Sequence, residues 1–124
     1  MYVLDSTIII YSLSPNHQFI RDFLDGKNLA CSVISKIEVL GYSKLNQKEI
    51  EGFQKFFQKI PILSLSEEVV EESIRLRQKR KITLGDSIIA ATAKIHQAEL
   101  ITANSDDFKW INEIQVVNPF FLGH

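Results

Sequence analysis

Short apolar runs alternate with stretches of helical periodicity along this chain. YVL leads into DSTIIIYSL, NLACSV into SKIEVLGYSKL, IPILSL into SEEVVEESIRLRQKR, and AELIT into NSDDFKWI; IQVVN closes the series before Pro119. A further helical stretch, QKEIEGFQKFFQKI, falls between the second and third runs and puts Phe53, Phe56, Phe57 and Ile60 on one apolar stripe. Strand–helix alternation predicts a mostly parallel sheet covered by helices on both faces. The expected architecture is a three-layer α/β/α domain with four or five strands. In LGDSIIAATAKI, residues 84–95, Leu84, Ile88, Ala91 and Ile95 recur at helical spacing, which predicts a well-buried helix. A charged Asp86 opens that segment, although its neighbours favour leaving water.

A length of 124 residues predicts one domain over residues 1–124, large enough to bury a core. No apolar run approaches the roughly 18 residues that span a bilayer, and the start lacks a secretory pattern. A cytoplasmic protein without a membrane segment is expected. Cys31 is the only cysteine, which excludes an internal disulfide and suits a reducing compartment. Within LACSV it reads as a small buried side chain. The net charge of −1 argues against a general nucleic-acid coat. The local balance differs: RLRQKRK places Arg75, Arg77, Lys79, Arg80 and Lys81 within seven positions. Cations at a helix end suit its dipole, and the same group attracts phosphates; the two roles are compatible.

The isolated acids fall at telling places. Asp5 ends the first strand, Glu38 sits one turn into the helix after the second, and Asp86 opens its helix. Asp106 and Asp107 follow the LIT strand. Ligand sites in open α/β sheets gather outside the carboxyl ends of the strands. Glu67, Glu68, Glu71 and Glu72 instead fall on the polar side of an amphipathic helix. Capping offers each candidate a structural role. Ser35-x-x-Glu38 and Thr83-x-x-Asp86 match the capping box, Asp5 or Ser6 suits the first cap, and Asn104 or Ser105 the last.

Taken together, the acids imply more. Two unit charges about 4 Å apart repel by roughly 4 kcal/mol at an effective dielectric near 20. Three such pairs would approach the whole stability of a domain, about 5–15 kcal/mol. Protons or a cation must relieve the cluster. Oxygen-only ligands suit Mg²⁺ or Mn²⁺. Zinc lacks partners, because the histidines are scattered at His17, His96 and His124, none with an expected catalytic role. Ala90 and Ala93, one and two turns beyond Asp86, are expected to leave its carboxylate facing an open cleft. A carboxylate-held metal activates water for attack on phosphate. Trp110 is expected to pack with Phe108, base stacking being the other reading.

MYVLDSTIIIY, SKIEVLGYSKL, ITLGDSIIAATA and TANSDDF resemble, in order, the four acidic motifs of PIN-domain nucleases, and most of all the VapC-type toxins of toxin–antitoxin pairs. The resemblance runs over essentially the whole chain. It implies a PIN-like fold and a Mg²⁺- or Mn²⁺-dependent endoribonuclease. Asp5, Glu38 and Asp86 match the core acidic positions, and Asp107 the fourth, with Asp106 as competitor. Thr7 stands where the family often has Asn, and Asn104 where some members carry an acid; both are expected to position substrate or water. Arg77, Lys79, Arg80 and Lys81 are the expected contacts to the RNA backbone. The resemblance further implies a homodimer, a VapB-type antitoxin whose basic side chain meets the acids, and a structured RNA substrate such as tRNA or rRNA. Two alternatives stand beside this one. One is a catalytically silent interaction domain on the same fold. The other is a receiver-type phosphoacceptor, which would want paired acids after the first strand and a Lys after the fifth, where LDST and VVNP stand.

Overall fold

The computed structural model describes residues 1–121, and His124 lies outside them. Among the described residues one sheet contains β1 (Tyr2–Leu4), β2 (Leu29–Ser32), β3 (Ile62–Leu63), β4 (Glu99–Ile101) and β5 (Val116–Val117). Their order is β3-β2-β1-β4-β5, and every pairing is parallel. Six helices accompany them: α1 (Ser6–Ser12), α2 (Gln18–Leu24), α3 (Val33–Leu40), α4 (Gln47–Lys59), α5 (Glu67–Lys79) and α6 (Leu84–Ile95). The order differs from the 2-1-3-4-5 arrangement of receiver domains, which removes the phosphoacceptor alternative.

The central strand explains the three layers. Successive side chains of a strand point to opposite faces. Val3 joins a core with Val69, Leu76, Ile89 and Phe108, whereas Leu4 joins one with Ile8, Ile20, Val39 and Phe57. Leu100 and Ile101 of β4 divide in the same way. Both faces are therefore dry, and a strand buried on both faces reads as a continuous apolar run. Helices α5 and α6 cover one face; α1, α2 and α4 cover the other. Phe53 and Phe57 are buried from the expected α4 stripe, with Phe56 and Ile60 packed partly beside them. Cys31 is buried, and desolvation pushes its thiol up to about 12, which leaves it inert as a nucleophile.

Several local expectations change in three dimensions. Helix α2 has only seven residues and no side-chain cap, so its periodicity is too brief to stand out. NSDDFKWI forms a single 3₁₀ turn at Ser105–Asp107, because burial of Phe108 and Ile111 ties the segment down immediately after it. Ser32, not Ser35, caps α3 by accepting from the Ile34 amide. Leu84 is exposed at the outer edge of α6. Glu72 is not on a solvated face: it is only 9% exposed and pairs with Arg75 and Lys94. Burial raises its carboxyl, but hydrogen bonds and charge from Arg75 and Lys94 outweigh this and hold it below the usual range.

The alanines of α6 are the largest correction. Ala90 and Ala93 are fully buried and face no cleft. Their missing bulk lets α6 lie close to β1, β2, β4 and α3, which makes it the inner helix of its layer. Close-packed interiors tolerate added methylenes poorly. Ala90→Leu should lower stability by about 1–3 kcal/mol, seen as a lower urea midpoint at unchanged slope. An unchanged midpoint would mean that α6 has room to spare.

Candidate active site

Asp5 is the first residue beyond the central strand and the N-cap of α1. Its amide donates to the Ile101 carbonyl at 2.9 Å, which prolongs the β1–β4 ladder by one step. That register sets Thr102 beside it. Oδ2 of Asp5 accepts from the Thr102 hydroxyl at 2.7 Å and from the Thr7 hydroxyl at 3.1 Å. Oδ1 accepts from the Ser6 amide at 2.7 Å. With 3% exposure the carboxylate is desolvated, which raises its pKa. The three hydrogen bonds oppose this, and the charge of Asp107 adds to it. Capping and a site role are thus compatible in one side chain.

Glu38 lies in the second turn of α3, where no capping role is open to it. Its Oε1 accepts from the Ser6 hydroxyl at 2.7 Å, and Ser6 shares a second hydrogen bond with Ser35 at 3.0 Å. A Cβ on Gly85 would stand 2.5 Å from Glu38 Oε2. Gly85 is therefore what lets the start of α6 meet α3. Asp86 follows directly, with its amide bonded to the Thr83 hydroxyl at 3.1 Å. Half-buried, Asp86 is pushed up to about 6 by desolvation first, then by the charge of Asp5; the hydrogen bond with Thr83 opposes this, and Asp107 and Glu38 add smaller upward contributions.

Asp107 and Asp106 share the 3₁₀ turn after β4 but not its electrostatics. Both are exposed. Asp106 pairs with Lys109 at 2.6 Å. Asp107 instead bears on both Asp5 and Asp86. Asn104 is exposed, and its backbone amide, not its side chain, joins the site through Thr102 at 2.9 Å. A cavity of about 400 Å³ opens beside Asp86 and Asp107. Arg77, Arg80 and Lys81 line it together with Asp86, Asp106 and Asp107. Lys79 is exposed and is not on its wall, and Arg75 turns away to Glu72 and Glu113. The sequence offered Ser6 and Ser35 only as caps, and Thr102 and Gly85 escaped it; none of the four was read as part of the site. The first three carry ordinary hydroxyls, and only strand register and helix approach give them a role.

Among the described residues no three His, Cys, Asp or Glu side chains are close enough to enclose a metal ion. Mg²⁺ does not demand that many, since it keeps several waters and takes one or two protein carboxylates. The donor set fits such an ion: oxygen only and acidic, with Asp86 raised by desolvation and then by the charge of Asp5. Asp5 and Asp86 would hold it, with Glu38 and Asp107 in reserve around them.

Fold and site thus define an α/β domain with an acidic centre at the carboxyl edge of a parallel sheet. The family model of the PIN domain matches residues 2–113, and the chain belongs to that family. Comparison with curated proteins found no match. Among solved structures the chain is similar to one in a toxin–antitoxin complex from Klebsiella pneumoniae, at 31% identity and a TM-score of 0.81, covering 96% of this chain and 98% of that one. It is similar to a chain of FitAcB from Neisseria gonorrhoeae, at 26% identity and a TM-score of 0.80, covering 98% and 100%. Its fold matches a chain of VapBC2 from Rickettsia felis bound to a promoter DNA fragment, at 22% identity and a TM-score of 0.83, covering 94% and 97%.

The raised Asp86 makes a signed prediction. Its folded value, about 6, lies above the ordinary 3.8, so between these pH values the folded chain binds more protons than the unfolded one. Its contribution to stability therefore falls as pH rises through that window, and the penalty is complete above it. Screening by solvent at this half-exposed position reduces the penalty to about 1 kcal/mol. In EDTA, Asp86→Asn should raise stability by about that amount at pH 8 and leave it nearly unchanged at pH 4. Urea unfolding at the two pH values checks this; a loss at both would mean that the carboxylate serves the helix start alone.

Proposed function

We propose that this chain is a divalent-metal-dependent endoribonuclease and the toxin of a VapBC-type toxin–antitoxin pair. The observation that carries the reading is the acidic surrounding of Asp86, where the charges of Asp5, Asp107 and Glu38, from three other chain segments, add to desolvation. Asp107 is assigned as the fourth acid, because its charge reaches Asp5 and Asp86 while that of Asp106 is taken up by Lys109. Similarity to the Klebsiella toxin–antitoxin chain and to the FitAcB chain supports the toxin assignment.

Each side chain then has a task. Asp5 and Asp86 bind Mg²⁺ or Mn²⁺, which when bound supplies positive charge to a phosphate and acidity to a water. Thr102 and Thr7 fix the Asp5 carboxylate by donating to Oδ2, so the ligand does not rotate away. Ser6 orients Glu38, which with Asp107 accepts a proton from the attacking water. Arg77, Arg80 and Lys81 hold RNA phosphates along the cavity rim, and Lys79 adds longer-range attraction. Asn104, exposed beside Thr102, contacts the substrate strand. The substrate is a structured RNA such as tRNA or rRNA, encountered in the cytoplasm. A VapB-type antitoxin silences the site by setting an Arg or Lys against the acids, since charge-assisted pairs are strong. The active form is a homodimer.

The purified chain should cleave RNA with Mg²⁺ or Mn²⁺ and stop when EDTA is added. Asp5→Asn and Asp86→Asn should each lower cleavage at least about 100-fold while the fold is retained. Full activity in either variant would refute the assigned roles. The rim makes a separate prediction. Joint replacement of Arg77 and Lys81 by Ala should weaken RNA binding and reduce the slope of log affinity against log salt by about 2. An unchanged slope would confine these cations to a solvated helix end.

A further inference from the structure

Trp110 packs, half-buried, against the core that contains Phe108, as expected, and its exposed part also forms the wall of the cavity beside Asp86. Its indole Nε1 donates to the Asp107 carbonyl at 3.0 Å, which fixes the ring relative to the fourth acid. The Arg80 guanidinium lies over the ring, 5.4 Å from its centroid. Ile82 adds an apolar side chain to the same cavity. One small space thus combines a planar aromatic group, a planar cation, an apolar wall and a basic rim, beside a carboxylate of the acidic centre. A volume of about 400 Å³ exceeds what a phosphate needs and accommodates a nucleobase with its sugar.

We propose that this cavity is a nucleotide subsite, in which a base next to the scissile phosphate stacks on the Trp110–Arg80 pair. The inference rests on the ribonuclease reading and deepens it. Stacking is tolerant of base identity, because every base has a π-face. The subsite therefore demands an unpaired, splayed base, not a particular letter. Duplex RNA keeps its bases stacked, so the subsite favours loops and single-stranded segments. Arg80 serves twice: its plane extends the stack, and its charge meets the neighbouring phosphate.

Trp110 is the only tryptophan, so its fluorescence reports on this site alone. The full-length Asp86→Asn chain in EDTA is titrated with a short single-stranded oligoribonucleotide and with an abasic sugar-phosphate strand of equal length. The ordinary strand should quench Trp110 saturably. The abasic strand should bind about 10-fold more weakly and leave the emission unchanged. Arg80→Gln should weaken the ordinary strand about 5-fold or more, whereas Trp110→Phe, which keeps a stacking surface, should lose less than Trp110→Leu. Equal binding of both strands, or unquenched emission at saturation, would overturn the subsite. Quenching by a short arginine-containing peptide but by no oligonucleotide would assign the cavity to a protein partner and overturn it too. Cleavage of RNA by the unmodified chain with Mg²⁺ is measured in parallel. Cleavage without quenching removes the subsite only; quenching without cleavage removes the activity and leaves the subsite standing.

Discussion

A desolvated carboxylate at the end of the central strand is the constraint around which this molecule is organised. Asp5 would be an expensive group to bury without partners, and it has three donors. Two of these come from its own turn and one from the neighbouring strand, so the sheet register is part of how the charge is tolerated. Asp86 is raised by desolvation and by the charge of Asp5, a penalty that a proton or a cation relieves. The helices that bring Asp86 and Glu38 in are pinned by features with no chemistry of their own: the small alanines of α6 and the absent side chain of Gly85.

The site is electrostatically divided. The charges of Asp5, Asp107 and Glu38 bear on Asp86, and Arg77, Arg80 and Lys81 line the same cavity as Asp86 and Asp107. A polyanionic chain has no reason to approach isolated acids, and a basic patch alone would bind it without consequence. Under the proposed function, setting the two within one cavity would let the cations hold the strand beside the acids. A net charge near zero conceals this arrangement, because only the local distribution matters at distances within about one Debye length.

Glu72 gives a useful contrast. It too is an acid placed in a poorly solvated position, but Arg75 and Lys94 neutralise it and tie α5 to α6. Its carboxyl is held low, whereas those of Asp5 and Asp86 are raised. Burial acts in the same direction on all three; at Glu72 two cations reverse it, whereas at Asp5 and Asp86 desolvation prevails and neighbouring acids add to it.

Much was legible in the residues themselves. Alternating apolar runs and helical periods specify a parallel α/β/α domain, since a strand dry on both faces has few other solutions. The order of the acidic motifs singles out Asp5, Glu38 and Asp86 as candidates, because ligand sites in open α/β sheets gather outside the carboxyl ends of the strands. Other features depended on non-local contacts. Asp106 and Asp107 are adjacent and chemically identical; only Lys109 folding back onto one of them tells them apart. The alanines of α6 and the acid Glu72 look the same in sequence whether they face water or not, because an amphipathic pattern records one exposed side and cannot say what packs against it. Thr102, Ser6 and Gly85 have no local signature of a place in the site, since their roles exist only where two strands are in register or two helices approach within a Cβ of each other.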